Sequence, residues 1–180
     1  RNLAELFEVV DREGVQRLVV DLRQDLGGTT ALTRSMIHAI RSRPQLDRLG
    51  GVIVLIGRDT ASAGVSLAAQ MEIETHAFFV GESTSMPANF YSRKRTLPLP
   101  NSGWLLQVST EVSVASLALD DRAYLAPDLL IPETLADEFD GRDAPMATAL
   151  AMRAPPSDWP EPAQRWRRAS QREVPRLPPR

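Results

Sequence analysis

Three observations predict an α/β fold with a largely parallel sheet. Short apolar cores at Leu18–Leu22, Val52–Ile56 and Ala77–Val80 have the length of buried strands. Between them run stretches whose apolar residues recur every three or four positions, as on one face of a helix. Gly27-Gly28 follows the first strand and Arg58-Asp59-Thr60 the second, so turn chemistry punctuates the alternation. Strands separated by helices do not form hairpins; they pair in parallel and are covered on both faces.

Each element follows from its residues. Asn2 can cap a helix carrying Leu3, Leu6, Phe7 and Val10, which Gly14 ends. After Gly28, a Thr29/Thr30 cap opens a helix with Leu32, Met36, Ile37 and Ile40 on one stripe, closed by Pro44. The helix after Thr60 carries Val65, Leu67, Ala68, Met71 and Ile73. From Gly81 to about Pro100 the periodicity vanishes, and 86–95 reads as a long exposed loop. Trp104–Val108 and Val112–Leu117 read as two strands, and Leu129–Ile131 as a short one after Pro127-Asp128. Asp143 caps the last helix, with Pro145 two positions on.

Composition narrows the function classes. The chain has 180 residues, 43% hydrophobic and 24% charged, enough for one ordinary domain with a tail. A net charge of −2 gives no reason to expect nucleic acid as a partner, and no apolar run has the length of a membrane span. Without cysteine there is no disulfide framework, thiolate metal site or cysteine nucleophile, and two histidines, His38 and His76, leave little for a metal centre. Lys94 is the one lysine. The chain begins at Arg1 directly in a helical pattern, which predicts a piece of a longer protein; a signal upstream would allow a periplasmic or secreted location. Residues 154–180 hold seven of the fourteen prolines, with six arginines against three acids. The folded body is therefore expected over 1–153, with 154–180 a mobile Pro/Arg-rich tail.

The sharpest chemical signal is Asp59-Thr60-Ala61-Ser62-Ala63-Gly64, between a buried strand and a helix. A hydroxyl there lies at a helix N-terminus, where free N–H groups and the dipole favour developing negative charge. If Ser62 attacks a carbonyl, the N–H of Ala63 points where the oxyanion forms. The plainer alternative is that Ser62 merely caps the helix. The second signal is Asp21-Leu-Arg-Gln-Asp-Leu-Gly27-Gly28. In a parallel sheet this turn shares an edge with Ser62, so Gly27 or Gly28 can give a second oxyanion donor; an ordinary tight turn is the alternative. Arg23 is expected to pair with Asp21 or Asp25 rather than with a substrate.

Together these segments resemble the core of the tail-specific, or C-terminal-processing, serine peptidases and their tricorn and retinoid-binding-protein relatives. Asp21–Gly28 resembles that family's DLRxNxGG and Thr60–Gly64 its TaSAxE, with Gly81-Glu-Ser-Thr84 at GExT. Leu97–Gly103 resembles LPnSG, Asp121–Asp128 the acidic-then-PD segment, and Gly141-Arg-Asp143 the following G-x-D. The resemblance implies a crotonase-like spiral of ββα units that hydrolyses peptide or protein substrates through Ser62, with no metal or organic cofactor. It makes Ala63 and Gly27 or Gly28 the oxyanion donors and Asp121 the acid, with Glu82 as runner-up. It also exposes departures. Asp25 replaces the motif's asparagine, Val65 its glutamate, and Pro87 or its neighbours stand where the bacterial enzymes carry their dyad lysine. Lys94 comes several residues too late. His38 falls on a polar face, and His76 lies on the order of 20 Å from Ser62 along the helix. The general base is thus expected upstream of Arg1. A peptidase fold kept as a module that binds peptides or small apolar ligands is the competing reading, and crotonase-type thioester chemistry is a third, poorly supported one. Oligomeric state has no signature in the sequence.

Overall fold

Asn2 opens the first helix, α1 (Leu3–Arg12), its side chain accepting from the Glu5 N–H at 2.9 Å. The structure, a computed structural model, describes residues 2–152, so the expected tail 154–180 lies outside the described residues. Strands β1 (Leu18–Asp21), β2 (Val52–Ile56) and β3 (Phe78–Gly81) are separated by helices α2 (Thr33–Arg41) and α3 (Ala63–Glu74). They pair in parallel in the order β1-β2-β3, and β6 (Leu129–Leu130) extends the sheet beside β3. The mixed α/β architecture and its parallel sheet thus follow the alternation in the sequence.

Side-chain alternation along β2 divides the core in two. Val52, Val54 and Ile56 pack with Phe7, Val10, Met36, Ile37, Ile40 and Met71 from α1–α3. Ile53 and Leu55 face the other way, with Phe78, Val80 and Ala149. Ala149 belongs to α5 (Ala144–Ala151), whose cap Asp143 accepts from the Met146 N–H at 2.9 Å. Both faces are covered, so β2 is apolar at all five positions and wholly buried.

Three local expectations are corrected. Leu32 precedes α2 without a side-chain cap, and the Thr29 hydroxyl accepts from Ala31 N instead, closing the turn before the helix. The stretch 86–95 is not a long loop, for β4 (Asn89–Pro98) runs through it and pairs antiparallel with β5 (Leu105–Val114). Its apolar alternation is masked by Ser92-Arg-Lys-Arg95, and Arg93 breaks the ladder with φ +38°. A partner strand distant in sequence supplies the pairing that no local pattern reveals. The two strands expected at 104–117 are one, because the polar Ser109-Thr110-Glu111 faces solvent or its neighbours and need not interrupt a hairpin strand. A short helix, α4 (Leu135–Phe139), capped by Thr134, had no expectation attached.

Two polar devices hold the outer segments. The Asn89 side chain donates to the carbonyls of Leu117 (2.7 Å) and Asp120 (3.1 Å) and accepts from Ala115 N and Ser116 N, so it clasps the root of the hairpin. The Arg122 side chain, 9% exposed, lies between Asp120 and Glu72 of α3, at 2.7 Å from each.

Candidate active site

Three turns meet at the carboxyl edge of the sheet. They follow β1, β2 and β3, and Thr60 ties the first two. Its hydroxyl donates to the Leu22 carbonyl at 2.8 Å and accepts from Gly57 N at 2.9 Å. Thr60 is fully buried, so Thr60→Val removes both bonds and strands the Gly57 N–H, while the Leu22 carbonyl keeps the Asp25 N–H at 3.0 Å. The expected cost is about 1–3 kcal/mol, read as a lower urea midpoint at unchanged m-value.

Close backbone approach then interlocks the turns. The Asp25 carbonyl accepts from Ala61 N at 2.9 Å. A Cβ on Gly64 would stand 2.7 Å from that carbonyl oxygen, and one on Gly27 would stand 2.4 Å from Ser62 Cβ and 2.9 Å from its Oγ. Gly27 also has φ +108°, open to glycine alone at no cost. The sequence therefore brings Gly27 and Ser62 into contact, as their shared edge predicted.

Ser62 sits at the cap position of α3 but does not cap it. Its φ of 50° and ψ of −115° are a strained pair for a residue with a Cβ, and its hydroxyl makes no hydrogen bond among the described residues. A capping serine gives its oxygen to an N–H of the first turn; Ser62 holds its oxygen out instead. The Ala63 N–H beside it, at the start of α3, is without a partner among the described residues, as is that of Gly28. Gly27 differs: its N–H donates to Asp25 Oδ1 at 2.9 Å, turned into its own loop. Of the two glycines, Gly28 is the one with a donor to offer.

The third turn covers the second. Ser85 donates through N–H and hydroxyl to the Thr60 carbonyl, and the Ser62 N–H points to Met86 Sδ at 2.9 Å. Thr84 holds this turn by accepting from Leu125 N and donating to the Met86 carbonyl, both at 2.9 Å. An apolar thioether thus lies against Ser62. Met86 carried no signal in the sequence, because a methionine in a loop reads as filler.

None of the ionisable residues considered as partners contacts Ser62. Asp121 is exposed and makes no hydrogen bond to another described residue, while its neighbours are taken up by the buried Arg122 group. Glu82 pairs with Arg58 at 2.7 Å. His76 pairs with Asp47 at 3.0 Å at the far end of α3, His38 is exposed on α2, and Lys94 is exposed on β4.

Arg23 organises the charged side of the site. It bonds to Asp21, Glu133 and Asp143 at 2.7–2.8 Å, and not to Asp25. The G-x-D spacing marked Asp143, but nothing in the sequence joined it to Arg23. These residues line a cleft of about 1200 Å³ along the carboxyl edge, which Asp25 and Asp59 connect to the serine turn. Burial pushes the Asp21 carboxyl up, but the Arg23 guanidinium outweighs it and holds the group below the usual carboxylate range. Arg23 hydrogen bonding likewise holds Asp143 low. Both groups titrate lower when folded than unfolded, so their stability is present at neutral pH and is lost as pH falls through the folded values. Thermal midpoints should hold down to about pH 4 and then fall, and Arg23→Met should flatten that fall.

Solved structures share the fold. The "Putative S41 protease" of Bacteroides fragilis NCTC 9343 aligns with 93% of the chain at TM-score 0.51 and 16% identity. The "putative peptidase" of Parabacteroides merdae ATCC 43184 aligns with 82% at TM-score 0.54 and 18% identity. The fold is that of the S41 peptidases. A photosystem II D1 C-terminal processing protease also overlaps, over 71% of the chain, at TM-score 0.49 and 20% identity. The chain spans 37% to 55% of the length of these three proteins. No family model and no curated protein matches it. Among the described residues, no helix is long and apolar enough to cross a membrane.

Proposed function

We propose that this chain is the nucleophile-bearing core of a serine-type peptidase of the tail-specific group, acylated at Ser62. The observation that carries the reading is the strained Ser62 backbone with its uncommitted hydroxyl beside the free Ala63 N–H. Attack by Ser62 Oγ on a peptide carbonyl forms a tetrahedral intermediate; Ala63 and Gly28 N–H groups then donate to its oxyanion. Gly27 acts through shape, letting its backbone lie against Ser62, since its N–H serves Asp25. The proton of Ser62 must go to a base outside the described residues, because neither histidine, nor Lys94, nor Asp121 is bonded to it. Asp121 would then orient that base from its exposed position. The substrate is a peptide or protein segment lying along the carboxyl edge. The S41 fold and the motif order together favour the crotonase-like spiral as the architecture of the complete protein.

A specific contact favours a second reading. The Met86 thioether accepts from the Ser62 N–H, so an apolar side chain packs on the serine turn, and this suits a peptidase fold that only binds. Labelling the full-length protein with a fluorophosphonate separates the two, with Ser62→Ala as control and intact mass as readout. One adduct on the wild type, absent from the variant, supports the enzyme. A folded protein with no adduct at neutral and mildly alkaline pH overturns it and leaves the binding module.

A further inference from the structure

The β4–β5 hairpin has one apolar face that nothing described covers. Cross-strand register puts Leu97 opposite Leu106, Arg95 opposite Val108, Tyr91 opposite Val112 and Asn89 opposite Val114. Side chains alternate across a strand, so Leu106, Val108, Thr110, Val112 and Val114 share a face with Leu97 and Tyr91. The other face of β5 carries Gln107, Ser109, Glu111 and Ser113, with Leu105 alone apolar at its tip end. Six apolar side chains of the first face are 41% to 76% exposed. A polar face paired with an apolar one is the pattern of a strand made to be covered on one side. Beyond its own two strands the hairpin makes few contacts with the body. Two strands alone are marginal in water, so the hairpin gains from a cover.

We propose that this face pairs with the same face of a second copy of the chain. Area and charge both point to that occupant. The six side chains expose on the order of 600 Å² of apolar surface, and Trp104 at the tip adds to it, against about 800 Å² per partner in a standard interface. Charge on the face is nearly absent. Arg93 is neutralised by Glu111 at 3.0 Å, which leaves Arg95 as its one unpaired charge. A near-neutral apolar stripe is matched by an equally neutral one, and a two-fold axis supplies it without any further sequence requirement. A lipid surface fits less well, since the stripe runs the length of the strands, from Tyr91 and Val114 at the root to Trp104 at the tip, rather than being confined to the tip.

Sedimentation of the chain over a range of concentrations tests this. The expected result is a monomer–dimer equilibrium that Val112→Glu weakens at least tenfold, while Ser109→Glu on the polar face leaves it unchanged. A second measurement holds even if Val112→Glu does not fold. With no native cysteine, a bifunctional maleimide should join Thr110→Cys chains into covalent dimers and leave Ser109→Cys chains single. A wild type that stays monomeric throughout overturns the proposal. So does a dimer indifferent to Val112→Glu with Thr110→Cys unjoined. A monomer that sediments with phosphatidylserine vesicles overturns it in favour of a lipid surface.

Discussion

Gly27→Ala is expected to lose at least 100-fold in fluorophosphonate labelling of Ser62 and about 2–4 kcal/mol of stability, if the peptidase reading is right. The added methyl would stand 2.4 Å from Ser62 Cβ, nearer than non-bonded carbons come, and the φ of +108° adds strain of its own. Neither turn can yield easily. The Leu22–Thr30 turn is tied through the Asp25 carbonyl to Ala61, and the serine turn through Thr60 to Leu22. A shift of about 1 Å at a nucleophile is enough for a hundredfold loss. Gly103→Ala is the comparison, with a positive φ of +71° but nothing within 4 Å of the added carbon. It should cost only the backbone strain, about 1–2 kcal/mol, and leave labelling unchanged. Equal labelling of Gly27→Ala and wild type would remove Gly27 from the site.

Arg122→Ala should be the most destabilising single change in the body, at about 3–5 kcal/mol. Its guanidinium serves two carboxylates, Glu72 and Asp120, and both are buried with it. Removing it leaves two like charges facing each other without the cation between them, and Asp120 keeps the backbone N–H of residue 122 at 3.2 Å. The sign of the pH dependence identifies the cause. In the wild type burial pushes the Asp120 carboxyl up, but the hydrogen bonds and charge of Arg122 prevail and hold it below its usual range. Stability from Asp120 is therefore present at neutral pH and lost on acidification. In the variant the guanidinium is gone while the burial of Asp120 stays, so that carboxyl rises from its wild-type position and mild acid should recover stability as it takes up a proton. Urea unfolding at neutral pH and near pH 5 reads both slopes. Parallel slopes in the two proteins would sink this account.

Much of the parallel layer was legible because a buried strand and a one-sided helix each leave a period in the sequence. Val52–Ile56 is apolar throughout since both faces are covered, and Ile40 and Met71 mark where helices meet it. The hairpin was legible only in part: β5 alternates from Leu106 to Val114 and reads as strand in two pieces, whereas the pairing of residues as far apart as Asn89 and Val114 leaves no local signal. Arg93 further disguised the first strand. For the site, glycine pairs and a serine before a helix were enough to bring Gly27, Ser62 and Ala63 together. What could not be read was direction: which glycine turns its N–H outward depends on whether Asp25 captures it. The same holds for Arg23, whose partners Glu133 and Asp143 are brought to it only by the packing of β6 and α5.

The Asn89 clasp makes the hairpin a cassette. Its two ends leave the body side by side, held by one side chain, and β6 takes its place beside β3 whatever lies between. Length and composition beyond that root are free to drift over evolutionary time, because no sheet register or core residue depends on them. Excising 90–113 and closing the gap with a short turn should leave the melting of the body cooperative. A lineage could therefore exchange one hairpin for another and alter what the protein meets while the serine turn stays as it is.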